Sequence, residues 1–388
     1  MLAGLSFCAG CRIFKDSMSD LLKTIKKVGS HFAVSGELID GEELVTGLIN
    51  QTFLAVYENE EGVVSKYVLQ RVNEHVFTDP RQVMRNIERV TKHINDKVFK
   101  TKRSSHGQTL RICPSRNGES CIEGEKGGIW RCYHYIEGCQ TIDVAETTNQ
   151  AFQAGRAFGE FQDLLSDFPV SKVSVTIADF HNTPVRFKRL LEVIKADSHG
   201  RAKGVETVIQ DFLGREPITA VLMDHLKAGR LVERVTHNDT KINNVMLNAE
   251  TDDAVCVIDL DTVMPGLSLY DFGDLIRSGT SPVDEDERDC SLVEMRMPMF
   301  EAIASGYLSA AHRFLSDLEV ELMPMAAKVI TMETGIRFLT DYLEGDVYFK
   351  TSREGHNLDR ARVQMALLKS IEAQEGQMKL FVKNWRPA

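Results

Sequence analysis

The segment VTHNDTKINNVMLNAETDDAVCVIDLDTVMPG, residues 235–266, concentrates oxygen-bearing side chains around two short apolar runs. The runs NVML and AVCVI are separated by NAETDD, a composition typical of a chain reversal, so we expect them to pair as an antiparallel hairpin. Asn244 precedes the first strand and Asp259 follows the second. Paired positions of a hairpin lie side by side, with about 5 Å between Cβ atoms, so these two side chains should converge on one point.

An amide oxygen beside a carboxylate is a natural seat for Mg²⁺, which takes further oxygens from water and from a substrate polyphosphate. Asp239 enters the same hairpin and could orient a hydroxyl and accept its proton, while Lys241 could place positive charge on the transferred phosphate. Asn and Asp in such loops more often cap turns. The joint pattern nevertheless favours phosphoryl transfer, with Asp239 and Lys241 as catalytic residues and with Asn244 and Asp259 as the metal ligands.

The elements that must position this hairpin follow a simple order along the chain. Residues 30–75 alternate as strands, and TDPRQVMRNIERVTKHI predicts an amphipathic helix with Asp79 as N-cap and Pro80 at its first position. A buried strand is expected over 129–138. Beyond it, apolar periodicity predicts helices near 152–165, 185–196, 204–228, 291–315 and 321–343. This order predicts an α+β fold with a small antiparallel-sheet lobe and a larger, mainly helical lobe.

The same pass along the chain predicts its domain organisation. Residues 1–17 are expected to be a flexible extension, because a more ordinary helix begins at Met18. Residues 18–137 should form the N-terminal lobe and residues 138–388 the C-terminal lobe.

Composition narrows the class of protein. The chain has 388 residues, 43% of them hydrophobic, and a formal net charge of −10, which argues against nucleic acid or an anionic membrane as partner. No segment approaches the roughly 20 apolar residues of a membrane span. Eight scattered cysteines suggest reduced thiols in a cytoplasmic protein. The sequence does not distinguish a monomer from a homodimer.

HNDTKINN, residues 237–244, resembles the catalytic loop of the protein-kinase-like superfamily, and IDLD at 258–261 is similar to the metal-binding step of its aminoglycoside phosphotransferase and choline kinase branch. THNDTKINNVML, VIDLDTVMPG, YDFGDLIR and ADFHNTP together resemble the N-acetylhexosamine 1-kinase group of that branch. The resemblance implies a two-lobed fold that uses ATP and Mg²⁺, with a five-stranded antiparallel sheet and one helix in a nucleotide-binding first lobe. The second lobe would then be catalytic and would bind the acceptor.

The resemblance also implies structural roles around the catalytic loop. His237 would brace the loop. Asp271 or Asp274 in YDFGDLIR would do the same, and helix N-capping is an equally plain reading of either residue.

In the first lobe, the turn TGLINQTF supplies Gly47, Asn50 and Thr52, which the resemblance assigns to the nucleotide phosphates. An ordinary hairpin turn would contain the same residues. Tyr135 and Ile136 fall at the hinge, where backbone groups would hold adenine, and the end of a buried strand is the structural alternative.

The third strand departs from the family pattern, because YVLQRV has no lysine to pair with phosphates. Gln70 and Arg71 are the available replacements. Strand alternation points them to opposite faces, so only one can serve, and Arg71 is the candidate with a positive charge. Glu88 could be its helix partner or a solvated surface charge.

Acceptor-binding candidates lie in the second lobe. Arg337 sits among apolar helix positions, where its charge needs either a carboxylate partner or a polar ligand, and Tyr348 follows it nearby. His181, with Asp179 and Asn182 around it, and Asp261 could hydrogen-bond a sugar, although a well-capped loop uses the same residue types.

The function expected from these residues is an ATP- and Mg²⁺-dependent kinase. Its small-molecule acceptor would be an N-acetylhexosamine phosphorylated on the anomeric hydroxyl. A choline, ethanolamine or aminoglycoside kinase is the enzymatic alternative. A nucleotide-binding scaffold without turnover is the other alternative, motivated by the missing strand lysine.

Overall fold

The computed structural model describes residues 10–44, 49–101, 109–125 and 127–387, and within them the side chains of residues 10–19 and 101 are excepted. The backbone divides into two compact units. One unit comprises Met1–Glu88 with Leu110–Glu137, and the other comprises Arg89–Thr109 with Gly138–Ala388. The lobes expected from the sequence were continuous segments, whereas each compact unit combines two stretches of chain.

The first unit is built on an antiparallel sheet. Its strands run in the order β1-β2-β3-β5-β4, and every neighbouring pair is antiparallel. The elements are α1 (Gly10–Gly29), β1 (Glu37–Leu44), β2 (Gln51–Glu58), β3 (Val64–Arg71), α2 (Pro80–Thr101), β4 (Cys121–Glu123) and β5 (Ile129–His134). This five-stranded sheet confirms the architecture expected of the N-terminal lobe.

Helix α1 begins earlier than the sequence analysis placed it. Residues 10–17, assigned there to a flexible extension, form helix that continues through Met18 to Gly29. Residues 1–9 lie outside the described residues. The C-terminal half of α1 packs its Ile25 side chain against one face of the sheet, in a core with Phe53, Leu69 and Trp130.

Helix α2 starts as predicted from its capping residues. The carboxylate of Asp79 accepts a hydrogen bond from the backbone N–H of Gln82 at 2.9 Å, and Pro80 is the first helical residue. Val83 and Ile87 are fully buried, as the periodicity required. Residues 89–101 of this helix belong to the second unit.

The second unit is mainly helical, with short strands near its loops. Its strands are β6 (Cys139–Gln140), β7 (Arg234–Thr236), β8 (Val245–Asn248), β9 (Ala254–Val257) and β10 (Met264–Gly266). Its helices are α3 (Thr148–Leu165), α4 (Thr183–Ala196), α5 (Glu206–Leu213), α6 (Glu216–Thr219), α7 (Val221–Lys227), α8 (Ser268–Gly279), α9 (Met297–Ala311), α10 (Asp317–Leu343) and α11 (His356–Asn384). No helix within the described ranges is long and apolar enough to cross a bilayer.

Two helical predictions needed correction. The single helix expected near 204–228 is three short helices, because the chain breaks at Gly214 and Pro217 occupies the start of α6. The helix expected over 291–315 begins only at Met297, where Pro298 sits in its first turn. Helix α11 was not predicted, since buried polar residues such as Gln364 interrupt its apolar face.

Helices α3 and α9 approach so closely that only glycine fits at their contact. An ideal Cβ on Gly155 would lie 2.2 Å from the carbonyl oxygen of Ile303, and one on Gly159 would lie 2.4 Å from that of Tyr307. Gly306 of α9 meets Phe152 of α3 in the same way, at 2.1 Å. This contact fixes α3, whose next turn carries Gln162 toward the loop described below.

Candidate active site

The hairpin predicted around the candidate catalytic residues is present. Val245 of β8 pairs with Val257 of β9, and the N–H of Ile258 donates to the carbonyl of Asn244 at 2.9 Å. The backbone therefore brings Asn244 beside the residue that precedes Asp259, so the predicted hairpin pairing is present, while the convergence of the two side chains on one ion stays a prediction.

Asp259 adopts a left-handed backbone conformation, with φ 57° and ψ 58°. This region costs most non-glycine residues about 1–2 kcal/mol, but Asp and Asn tolerate it better because of their short polar side chains. The left-handed residue turns the chain out of β9 into a short 3-10 turn over Leu260–Thr262. Asp261 in that turn is only 3% exposed.

Asp239, Lys241 and Asn244 gather within the loop that enters the hairpin. The ammonium of Lys241 lies 3.5 Å from Oδ1 of Asp239. The side-chain amide of Asn244 donates to the Asp239 carbonyl at 2.8 Å and approaches its Oδ2 at 3.3 Å. Both charged side chains are partly open to solvent, with 24% of Asp239 and 32% of Lys241 exposed. The predicted catalytic pair is thus accessible to a ligand.

Electrostatics favour the ionised form of both groups. Burial raises the pKa of the Asp239 carboxyl, but Lys241, His237, Arg277 and Arg337 together outweigh it, so the pKa lies below its usual range. The Asp239 charge in turn raises the pKa of Lys241 against the effect of burial. A carboxylate and an ammonium therefore coexist at neutral pH.

His237 braces this loop, as the sequence suggested. Its Nε2–H donates to the carbonyl of Ile258 at 2.8 Å, and its Nδ1 accepts from the N–H of Asp239 at 3.3 Å. Phe158 and Phe161 of α3 contact the ring edge-on, with centroids 5.4 and 5.8 Å away. The imidazole therefore joins the start of the loop to the end of β9.

Asp271 of α8 supports the loop from the other side. Its Oδ2 accepts from the N–H of His237 at 2.9 Å and its Oδ1 from the N–H of Asn238 at 2.7 Å, while the amide of Gln162 also donates to it. Burial raises the pKa of this carboxyl, and the backbone donors oppose that rise. Of the two readings left open, bracing applies to Asp271. Asp274 instead pairs with Arg277 at 2.8 Å.

A cation site at this hairpin would draw on an amide and carboxylates. Because the Asn244 amide nitrogen is turned toward Asp239, its Oδ1 receives no hydrogen bond from any described residue and remains available as a ligand. Within the part of the chain that the structure describes, no three His, Cys, Asp or Glu side chains are grouped as a metal site. A metal held by Asn244 and Asp259 would therefore need ligands from water or substrate, as Mg²⁺ commonly does.

A pocket of about 230 Å³ brings together Arg337 and Tyr348, the two acceptor-binding candidates. The guanidinium of Arg337 lies 5.4 Å from the ring centre of Phe180, 5.9 Å from that of Tyr348 and 5.3 Å from that of Phe349. Aromatic faces thus surround this charge. Other residues that line the pocket are Arg186, Arg189, Asp341 and Glu344.

The acids of this pocket, called here the arginine pocket, are already engaged. Glu344 pairs with Arg189, and the carboxylate of Asp341 accepts backbone N–H bonds from residues 347–349 at 2.8–2.9 Å. The pKa of the Arg186 guanidinium is lowered, first by burial and second by the positive charge of the nearby Arg337. The Nε of Arg186 is buried without a hydrogen-bond partner among the described residues. The pocket therefore contains a hydrogen-bond donor, the Nε of Arg186, that no described residue accepts from.

His181 lies beside this pocket but does not line it. Its Nδ1 is 2.8 Å from Glu333 Oε1 and its Nε2 is 2.9 Å from the carbonyl oxygen of Asn238. Protein groups thus engage both ring nitrogens. A direct contact between His181 and an acceptor stays a prediction, and it would require one of these bonds to break.

In the first unit, strand register shows on which face of the sheet Gln70 and Arg71, the two candidates to replace the missing lysine, each lie. Gln70 pairs with Thr52 on one side and with Arg131 on the other. Arg131 donates to Gln70 Oε1 at 2.9 Å, and Gln70 donates to the Thr52 hydroxyl at 3.1 Å. Arg71 lies on the opposite face, where it lines a pocket of about 930 Å³ against α1.

Two of the remaining first-lobe candidates, Asn50 and Tyr135, are hydrogen-bonded within the first unit. Asn50 accepts a hydrogen bond from the N–H of Asn73 at 3.0 Å, and Gly47 lies outside the described residues. The N–H of Tyr135 donates to the carbonyl of Lys66 at 3.1 Å, so it is occupied within the sheet, and Ile136 is buried. Their assignment to a nucleotide remains a prediction.

Sequence reasoning missed several polar residues of these sites. Arg131 is 1% exposed, and its sequence context IWRCYH reads as a wholly buried strand, so its charge was the available signal. Glu333 and Gln162 are buried carboxylate and amide groups in otherwise apolar helix faces. Arg186 stands in a helix with several other basic residues and carried no distinguishing signal.

A model of the phosphotransferase enzyme family matches residues 40–294 of the chain. Among solved structures, the chain is similar to an aminoglycoside phosphotransferase from Alicyclobacillus acidocaldarius, with a TM-score of 0.58 and 10% identity over 99% of this chain and 98% of that one. It is also similar to a choline kinase from Cryptosporidium parvum, with a TM-score of 0.51 and 14% identity over 95% and 99%. A microcompartment-associated aminopropanol kinase gives 0.53 and 14% over 95% and 99%. At these identities the likeness shows the fold, which confirms the kinase-like two-lobed α+β prediction.

Proposed function

Because the chain belongs to the phosphotransferase enzyme family, we propose that it is an ATP- and Mg²⁺-dependent kinase that phosphorylates the anomeric hydroxyl of an N-acetylhexosamine. The product is the sugar 1-phosphate. The catalytic loop supports the kinase reaction, and the arginine pocket supports this class of acceptor.

Asp239 accepts a hydrogen bond from the acceptor hydroxyl and orients its oxygen toward the γ-phosphorus. Lys241 places its ammonium beside the same carboxylate, where it offsets charge on the transferred group. Asn244 and Asp259 would hold Mg²⁺, which supplies charge neutralisation of the polyphosphate when bound. His237 and Asp271 keep the loop in place through the bonds described above.

Nucleotide binding is assigned to the first unit. Thr52, Asn50 and the turn that contains Gly47 would meet the phosphates, and backbone groups near Tyr135 and Ile136 would meet adenine. Arg71 is not kept as the cation of the third strand, because it lies on the sheet face opposite Thr52 and against α1. Arg131, which is bonded to Gln70 on the Thr52 face, is the cation proposed in its place. Solved structures of related fold include a spectinomycin phosphotransferase in complex with ADP, which supports nucleotide use.

The observation that carries the acceptor class is the pair Arg186 and Arg337 in one pocket. Two guanidinium groups repel a cationic acceptor such as choline or kanamycin, because placing like charges next to each other costs several kcal/mol. Hydroxyl and acetamido oxygens, in contrast, accept hydrogen bonds from both groups. An N-acetylhexosamine is dense in such oxygens and has no charge to be repelled.

A screen of acceptors tests the proposal. Purified protein is incubated with ATP and Mg²⁺ and with GlcNAc, GalNAc, choline, ethanolamine or kanamycin, and phosphorylated product is identified by ³¹P NMR. We expect a 1-phosphate with at least one N-acetylhexosamine and none with the cationic compounds. Phosphorylation of choline, ethanolamine or kanamycin alone would replace this acceptor class, and ATP binding without transfer to any acceptor would favour a scaffold.

Asp239→Asn provides the mechanistic arm of the same experiment. It should lower kcat by about 10²- to 10⁴-fold while leaving the Kd for ATP little changed, because the carboxylate acts on the acceptor hydroxyl. Asp252→Asn is the matched control. It changes the same chemistry in the turn of the hairpin, where Asp252 has φ 58° and Asn is tolerated. Equal activity of the two variants would remove Asp239 from the mechanism.

A further inference from the structure

His181 is held in a way that defines its protonation state. Its side chain is 8% exposed, and it contacts a carboxylate oxygen of Glu333 through Nδ1 and the carbonyl oxygen of Asn238 through Nε2. Both partners are acceptors, so a hydrogen is required on each nitrogen. The buried ring is therefore an imidazolium, and Glu333 raises its pKa although burial alone would lower it.

Glu333 is a fixed anchor for this ring. It is 1% exposed within α10, and its second oxygen accepts the hydroxyl of Thr183 at 2.6 Å. Both carboxylate oxygens are thus engaged, which is the condition under which a buried ion pair is tolerated. The ring itself is enclosed by Phe180 and Tyr270, with centroids 4.7 and 4.9 Å away.

The bond to Asn238 acts on the peptide unit that directly precedes Asp239. The carbonyl oxygen of this peptide accepts from His181, and its N–H, which belongs to Asp239, donates to Nδ1 of His237. Asn238 has φ 66°, and its buried amide donates to the carbonyl of Thr262 at 3.0 Å. Because a peptide unit is planar, holding both of its polar ends fixes the direction in which the Asp239 side chain leaves the backbone.

We infer that His181 is a positioning residue for Asp239, a buried imidazolium that locks the preceding peptide plane and ties it to the helix that carries Arg337. The inference rests on the proposed role of Asp239 in the kinase reaction. Arg337 follows Glu333 by one helical turn, and Phe180, the neighbour of His181, lies under its guanidinium. Helix α10 therefore holds both Arg337 of the arginine pocket and, through Glu333 and His181, the peptide that precedes Asp239.

This arrangement predicts a specific kinetic defect. His181→Gln cannot donate to both partners in the same geometry, so the peptide plane should rotate and misdirect the carboxylate. A displacement of about 1 Å at a reacting group costs about 10²-fold in rate. We expect kcat to fall about 10- to 100-fold, while the acceptor KM and the Kd for ATP change little.

The variants to compare are His181→Gln, His181→Ala and the control His93→Gln. His93 is also a histidine beside a carboxylate, Asp167 at 3.2 Å, but it lies on α2 and its ring contacts Phe168. Neither of these neighbours belongs to the catalytic loop. Added imidazole should restore part of kcat to His181→Ala by entering the vacated space, and it should not affect His93→Gln. A role confined to folding would lower the unfolding temperature without a kcat defect that imidazole repairs.

Backbone hydrogen exchange gives a readout that does not depend on turnover. Mass spectrometry should show faster exchange in the peptide that contains Asp239 for His181→Gln than for wild type or His93→Gln. Unchanged exchange with unchanged kcat would overturn the inference, and a raised acceptor KM with normal kcat would replace it with direct contact. If wild type phosphorylates no acceptor, the proposed function fails, and the exchange result alone then decides whether His181 holds the loop.

Discussion

Gly159 offers a substitution whose cost can be worked from the structure. A Cβ at this position would lie 2.4 Å from the carbonyl oxygen of Tyr307, and backbone atoms cannot rotate out of the way. To reach an ordinary contact of about 3.4 Å, helices α3 and α9 must separate by about 1 Å. Overpacking a well-packed contact costs about 1–3 kcal/mol, and the upper value applies here because the clash is with backbone. The better helix propensity of Ala offsets about 1 kcal/mol of this cost. Gly159→Ala should therefore lower the free energy of unfolding by about 2 kcal/mol.

Gly376→Ala is the matched control. Gly376 lies in α11 with no atom within 4 Å of an added Cβ, so the same change should stabilise the protein by about 0.5–1 kcal/mol. Urea unfolding followed by circular dichroism at the helix band measures both variants. If the two substitutions shift the transition equally in the same direction, the close contact between α3 and α9 does not determine the cost, and the reasoning is refuted.

Three further outcomes are expected. Asp259→Gly and Asp259→Ala should both lose activity, but the glycine variant should be about 1 kcal/mol more stable in urea unfolding, because its backbone accepts the left-handed conformation; equal stabilities would contradict the strain argument. Arg186→Gln should raise the KM for an N-acetylhexosamine about tenfold in steady-state kinetics, since a charged hydrogen bond contributes about 1.5–3 kcal/mol; an unchanged KM would exclude Arg186 from acceptor binding. The folded pKa of His181 is raised, so the extra stability of wild type over His181→Gln should be complete below the ordinary histidine pKa of about 6.5 and should shrink as the pH rises through the folded pKa and the imidazolium loses its proton. An advantage that grows with pH in urea titrations would show that the ring is neutral.

Local chemistry allowed much of the hairpin that contains the candidate site to be predicted. Asn244 and Asp259 flank two strands joined by a polar turn, and hairpin pairing depends on neighbouring residues, so the pairing of β8 with β9 follows from the amino-acid sequence alone. The start of α2 at Pro80 was equally local, because Asp79 and Pro80 are strong helix signals. Such features depend on a few consecutive residues.

Contacts between distant parts of the chain could not be predicted in this way. His181 and Glu333 are 152 positions apart, so no spacing rule connects them, and His181 was assigned to the acceptor. The choice between Gln70 and Arg71 needed the register of three strands and the side on which each helix packs. Helix α11 was missed because Asn357 and Gln364 are buried through partners elsewhere in the fold.

The brace at Asp271 has a consequence for how the active loop is assembled during synthesis. The amides of His237 and Asn238 bind a carboxylate that lies 34 and 33 positions further along the chain, so these bonds form only after α8 has been made and has packed against the loop. A nascent chain that has exposed Asp239, Asn244 and Asp259 but not α8 already contains the whole motif and lacks the support that orders it. Chain fragments ending before residue 271 should therefore carry every proposed catalytic and metal-binding residue and still have no assembled centre.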